Sequence, residues 1–92
     1  MSNTKPNANE LFAQAAEMYD EYNPKDRDYL IPLQGAAELG HNDAQFKLGC
    51  IKFVKGDYNE AAQWFELVTQ NSEHEKSIEA QSYLDSIHTL DA

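Results

Sequence analysis

Apolar residues recur along the chain at intervals of three and four, and strict alternation of apolar with polar never persists, so the pattern predicts helices and no strand. Four segments open on a side chain able to cap a helix and carry Glu or Gln three places later: Asn7 with Glu10, Asn42 with Gln45, Asp57 with Glu60, and Ser72 with Glu75. In such a box the two side chains satisfy each other's orphan amides at a helix start. The last three starts are 15 residues apart, which leaves room for about four turns each. Gly40 and Gly56 stand just before two of them, where left-handed C-terminal caps are needed. A further helix between Asn23-Pro24 and Gly40, capped by Asp26 or Asp28, places Pro32 near its first turn, where a missing amide costs little. The expectation is five helices, near 8–22, 27–39, 43–55, 58–70 and 73–90.

Two helices cannot bury their apolar faces alone, whereas stacked pairs can. "AQFKL" at Ala44 to Leu48 returns as "AQSYL" at Ala80 to Leu84, a shift of 36 residues that suits a helical hairpin. Small residues at Ala44, Gly49, Ala61 and Ala62 let paired helices approach closely, and Leu48, Tyr58, Trp64, Phe65 and Val68 supply area for the seam.

These residues resemble a known family. "AQFKLGCIKFVKGDYNEAAQWFELV" is similar to a tetratricopeptide repeat, with Leu48-Gly49 in the first helix, the Gly56-Asp57-Tyr58 turn, and Ala61 and Phe65 in the second. "GAAELGHNDAQ", from Gly35 to Gln45, resembles the Sel-one-like variety of that superfamily. The match covers residues 35 to 68, with Lys52 where an aromatic residue is usual; outside it residues 7 to 34 align only through Ala15, Ala16 and Tyr19. The resemblance implies an all-α fold, a short right-handed stack of antiparallel hairpins with about two and a half repeats. Residues 1–92 form a single helical-repeat domain in this reading, with 1–6 a flexible arm, 42–71 the best-defined repeat and 72–92 a capping helix. A length of 92 residues suits one domain with a marginal core.

Charge narrows the partners. Sixteen acids against seven basic residues leave a net charge of -9, which disfavours nucleic acid and anionic membrane surfaces and favours a basic or amphipathic polypeptide. The start MSNTKPNANE lacks the basic and apolar regions of a secretory signal, and no apolar run is long enough for a membrane helix. With one cysteine, Cys50, a reducing, cytoplasmic setting is expected.

Candidate chemistry is sparse. His41, His74 and His88 show no helical His-x-x-x-His spacing and no cysteine partner, Cys50 has no base near it in sequence, and the four glycines are isolated. No catalytic, metal or cofactor-binding residue is expected, and the chain reads as a protein that holds something rather than an enzyme. In the resembled family the first helix of each repeat lines a concave surface. On the central such helix that face carries Asp43, Phe46, Cys50, Phe53 and Val54, with Phe46, Cys50 and Phe53 on one stripe. These five are the expected partner-binding residues of an apolar groove edged with acids, serving an adaptor, chaperone or toxin-neutralising role. Two readings of the stripe stand, open groove and covered core. The rival function is homo-oligomerisation through the terminal helices, with Leu84, Ile87 and Leu90 as the surface.

Overall fold

A computed structural model of the chain describes residues 7–18 and 29–90. Among them are five α-helices and no strand: α1 Ala8–Met18, α2 Leu30–Glu38, α3 Asn42–Lys55, α4 Tyr58–Thr69 and α5 Ser77–Leu90. Each helix packs on the next in sequence, α3 and α4 most extensively, so the chain builds a small stack of helical hairpins. The expected arm at 1–6, the continuation of the first helix to 22 and the caps Asp26 and Asp28 lie outside the described residues.

Two glycines end helices as their positions predict. Gly40 and Gly56 take φ values of 93° and 87°. At each, the glycine amide and the amide after it turn back onto the last turn: Gly40 to Ala37 and His41 to Ala36, then Gly56 to Phe53 and Asp57 to Lys52. This double closure is the Schellman arrangement, and only glycine adopts its left-handed residue without strain. It lets α3 begin two residues after Gly40 and α4 two after Gly56.

The starts are more varied than the capping pattern predicts. At α1 the box forms in both directions, Glu10 N donating to Asn7 Oδ1 at 2.9 Å and Asn7 N to Glu10 Oε1 at 3.2 Å. At α3 the cap is His41, whose Nδ1 accepts from Ala44 N at 3.1 Å. Asn42 instead donates to Gln45 Oε1 at 2.8 Å from inside the helix. Asp57 holds the cap position of α4 without a side-chain hydrogen bond to it. The Ser72–Glu75 box does not form, and α5 starts at Ser77. No glycine closes α4, so the chain passes through turns at 71–76 held by longer-range bonds: Asn71 Nδ2 donates to Asn42 Oδ1 at 2.8 Å, and His74 Nε2 lies 3.2 Å from Asp43 Oδ1. These contacts tie the turn to the start of α3 in place of a local capping box.

Burial divides into two clusters. The first joins Ala15, Leu33, Ala36, Ala37, Ala44 and Leu48, and the second Ala61, Phe65, Val68, Ala80, Leu84 and Ile87. Ala44 with Ala80, and Leu48 with Leu84, are buried counterparts in the two copies of the 36-residue shift. Between the clusters α3 and α4 meet at Gly49, where an added Cβ would stand 2.8 Å from the Phe65 ring. A hydrogen at that position is what lets the fully buried Phe65 lie flat against the helix. Gln45, the buried polar residue, donates to Ala37 O at 3.0 Å while accepting from Asn42, which is itself bonded to Asn71. This amide relay ties the end of α2, the start of α3 and the turn before α5 together, and it leaves Gln45 satisfied.

Candidate functional site

A groove of about 330 Å³ opens where α1, the first half of α3 and the turn before α5 converge, lined by Phe12, Asp43, Phe46, Lys47, Cys50 and Lys76. Helical spacing explains the α3 share. Positions 43, 46, 47 and 50 fall on one face, opposite the buried Ala44, Leu48 and Gly49 that pack inward. Phe12 comes from α1 and is held by His41, its ring stacked on the imidazole with centroids 4.6 Å apart. The α3 cap therefore also positions a groove wall.

On the other side Phe46 meets Phe65 edge-on at 5.7 Å and Tyr83 at 5.9 Å. The Lys76 ammonium lies 5.4 Å from the Phe46 centroid and 3.4 Å from Glu79 Oε1. His74 fixes the turn that carries Lys76: its Nδ1 accepts from Lys76 N at 3.1 Å while Nε2 faces Asp43. Both ring nitrogens of His74 are thereby engaged in holding the turn.

The Cys50 thiol is pushed above its ordinary value, chiefly by burial and further by Glu79; a hydrogen bond from Tyr83 and the Lys47 and Lys76 ammonium groups pull the other way. The Tyr83 hydroxyl is raised as well, by the charge a Cys50 thiolate would bring, by the bond it donates to that sulfur, by burial and by Glu79. A thiol held protonated is a poor nucleophile. Chemically, the groove offers aromatic surface, a neutral thiol, and lysines interleaved with carboxylates, Asp43 in the lining and Glu79 beside Lys76.

Of the five residues expected to bind a partner, Asp43, Phe46 and Cys50 come together here. Phe53 is packed edge-on between Tyr58 at 5.4 Å and Tyr83 at 5.1 Å, and does not line the groove. Val54 is 85% exposed and also outside it. The expected acidic edge amounts to one acid, Asp43, beside Lys47 and Lys76. Of the triplet considered for self-association, Leu84 and Ile87 are buried and Leu90 is exposed.

Comparison with protein-family models, with curated proteins and with solved structures yields no match.

The groove residues not anticipated are Phe12, Lys47 and Lys76. Phe12 carries a faint signal, since it precedes Leu48 by the same 36 residues that separate Leu48 from Leu84. Lys47 follows Phe46 on the same helix and is found by extending the stripe one place. Lys76 carries none, because its place depends on where the turn at 71–76 is anchored.

Proposed function

We propose that this chain is a non-enzymatic module of the tetratricopeptide-like, Sel-one-like kind that holds a polypeptide in the groove between α1 and α3. The observation carrying this reading is the groove itself, in which Phe12 and Phe46 present aromatic surface beside charged groups and backbone-anchored turns. Exposed aromatic surface with a few placed polar groups is the usual make-up of a recognition site. The hairpin order, the 36-residue recurrence and the Gly49–Phe65 contact support the family reading. The engaged nitrogens of His74 and the raised Cys50 thiol favour binding over catalysis. No helix among the described residues is long and apolar enough to cross a membrane, and the single cysteine suits the reducing cytoplasm, where we place the protein.

The test uses Cys50 as a handle, since it is the single cysteine and lines the groove. Alkylating it with a bulky maleimide fills the site without deleting a core side chain. Polypeptides captured from the native host and identified by mass spectrometry are expected to be lost after alkylation while the thermal midpoint stays within a few degrees. An unchanged captured set places binding elsewhere. Turnover of a small molecule by the purified protein, abolished in Cys50→Ala, would restore an enzyme.

A further inference from the structure

A single side chain fastens the turn at 71–76 at two points. His74 is 18% exposed, and its ring nitrogens do opposite things: Nε2 faces Asp43 Oδ1 at 3.2 Å, and Nδ1 accepts from Lys76 N at 3.1 Å. A neutral imidazole with its proton on Nε2 satisfies both neighbours, donating to the carboxylate and accepting from the amide. An imidazolium cannot, because both of its nitrogens donate. Ser, Thr and Asn, the commoner acceptors for an amide in a turn, keep their lone pairs throughout the physiological range, whereas imidazole loses its own between about pH 8 and 5.

The charges around the ring decide which tie gives way. Asp43 of α3 faces Nε2, and Glu73 and Glu75 precede and follow His74 in its own turn. On the groove side stand Lys47 of α3 and Lys76, the latter paired with Glu79 of α5 at 3.4 Å. The α1 share of the groove lining is the uncharged Phe12. A proton on Nδ1 makes the bond to Asp43 charge-assisted and so strengthens it, while it sets one N–H against another at Lys76. The tie to α3 therefore holds and the tie to Lys76 breaks. Lys76 carries the ammonium that lies 5.4 Å from the Phe46 centroid, so its backbone takes part of the groove wall with it. Resting on the groove reading above, we propose that His74 is a proton-operated latch on this groove. Neutral, it holds Lys76 over Phe46; protonated, it keeps Asp43, releases the Lys76 amide and opens the wall beside Cys50.

The test follows the intact, isotope-labelled protein from about pH 8 to about pH 5.5 by nuclear magnetic resonance, beside His74→Asn, whose side-chain oxygen accepts the amide two residues on and remains an acceptor throughout. The Lys76 amide proton is expected to move upfield, the direction of a lost hydrogen bond, in step with the His74 ring nitrogens, and to stay in place in His74→Asn. At each pH Cys50 is also reacted with a dipyridyl disulfide, a thiol reagent that stays active in acid. The rate relative to His74→Asn is expected to be near one at the upper end and to rise about threefold or more at the lower, the scale of one lost hydrogen bond. A Lys76 amide that ignores the titration of the ring overturns the latch, and so does a rate ratio that stays flat. Neither outcome touches the groove reading, which polypeptide capture with and without Cys50 alkylation at about pH 8 decides separately, with the latch shut. A captured set indifferent to alkylation removes the groove reading and leaves the two latch measurements as they are.

Discussion

The two halves of the stack are held by different means. Around α1, α2 and the start of α3 the buried cluster has four alanines among six members, with Leu33 and Leu48 as its large fully buried side chains. Small residues bring the helices close, and the Gln45 relay joins their ends. Around α4, α5 and the end of α3 the cluster is built on rings: Tyr83 stacks on Phe65 at 4.7 Å with planes 7° apart and meets Phe46 and Phe53 edge-on. Both halves use α3, and its groove face is divided between them. Phe46, Cys50 and Phe53 all pack on the aromatic cluster, Phe53 between Tyr58 and Tyr83; only Phe46 and Cys50, where α1 stands across from them, also border the groove. One helical stripe is thus half-buried along its length and borders the groove only over its first part, so packing and groove lining are combined in Phe46 and Cys50.

The contrast is tested most severely at Phe65. Phe65→Ala empties the centre of the aromatic half and is expected to cost about 3–5 kcal/mol in denaturant unfolding. A loss below about 1 kcal/mol would mean that Tyr83 and Phe46 do not depend on that ring. Next comes Gly49→Ala, where the new methyl group meets the Phe65 ring at 2.8 Å. Overpacking is expected to outweigh the better helix propensity of alanine and lower stability by about 1–3 kcal/mol. A raised melting temperature would show that the ring yields.

In the alanine-rich half, His41→Ala removes both the α3 cap and the surface on which Phe12 stacks. A loss of about 0.5–2 kcal/mol is expected, with peptide affinity falling alongside stability because a groove wall is freed. An Asn at 41, which caps but does not stack, should restore stability without restoring affinity.

The smallest effect concerns Cys50. Its folded-state thiol lies above the ordinary value, so iodoacetamide should react more slowly than with the unfolded chain near pH 8, the rate still climbing where the unfolded control has levelled off. The accompanying linkage has a defined sign: the protonated thiol is favoured by folding, so its contribution is complete below the unfolded value and declines as pH rises through the folded one. Equal rates for folded and unfolded protein would contradict the burial assigned to this thiol.

What the sequence makes legible follows from how local each cause is. Gly40 and Gly56 are readable because a left-handed residue is a property of a few consecutive positions, and both end helices as expected. Gly49 is readable through its place opposite the Ala61–Phe65 segment one helix later. The start of α5 is not, because Ser72 and Glu75 satisfy the local rule while Asn71 and His74 are pulled to Asn42 and Asp43, 29 and 31 residues earlier. His41 is missed as a cap because Asn42, the commoner capping residue, stands next to it. The groove is half readable: α3 periodicity gathers Asp43, Phe46 and Cys50, but the opposing wall, Phe12 and Lys76, arrives from elements whose placement only the packed fold determines.

The division of α3 into a part that lines the groove and a part that only packs can be seen directly by amide chemical-shift mapping of the isotope-labelled protein during titration with a polypeptide captured from the native host. The account predicts shifts concentrated at Phe12, Asp43, Phe46, Lys47, Cys50 and Lys76, with Phe53, Val54 and Tyr58 unmoved. Shifts centred on Phe53 and Tyr58, or on the exposed end of α5 at Leu90, would contradict it.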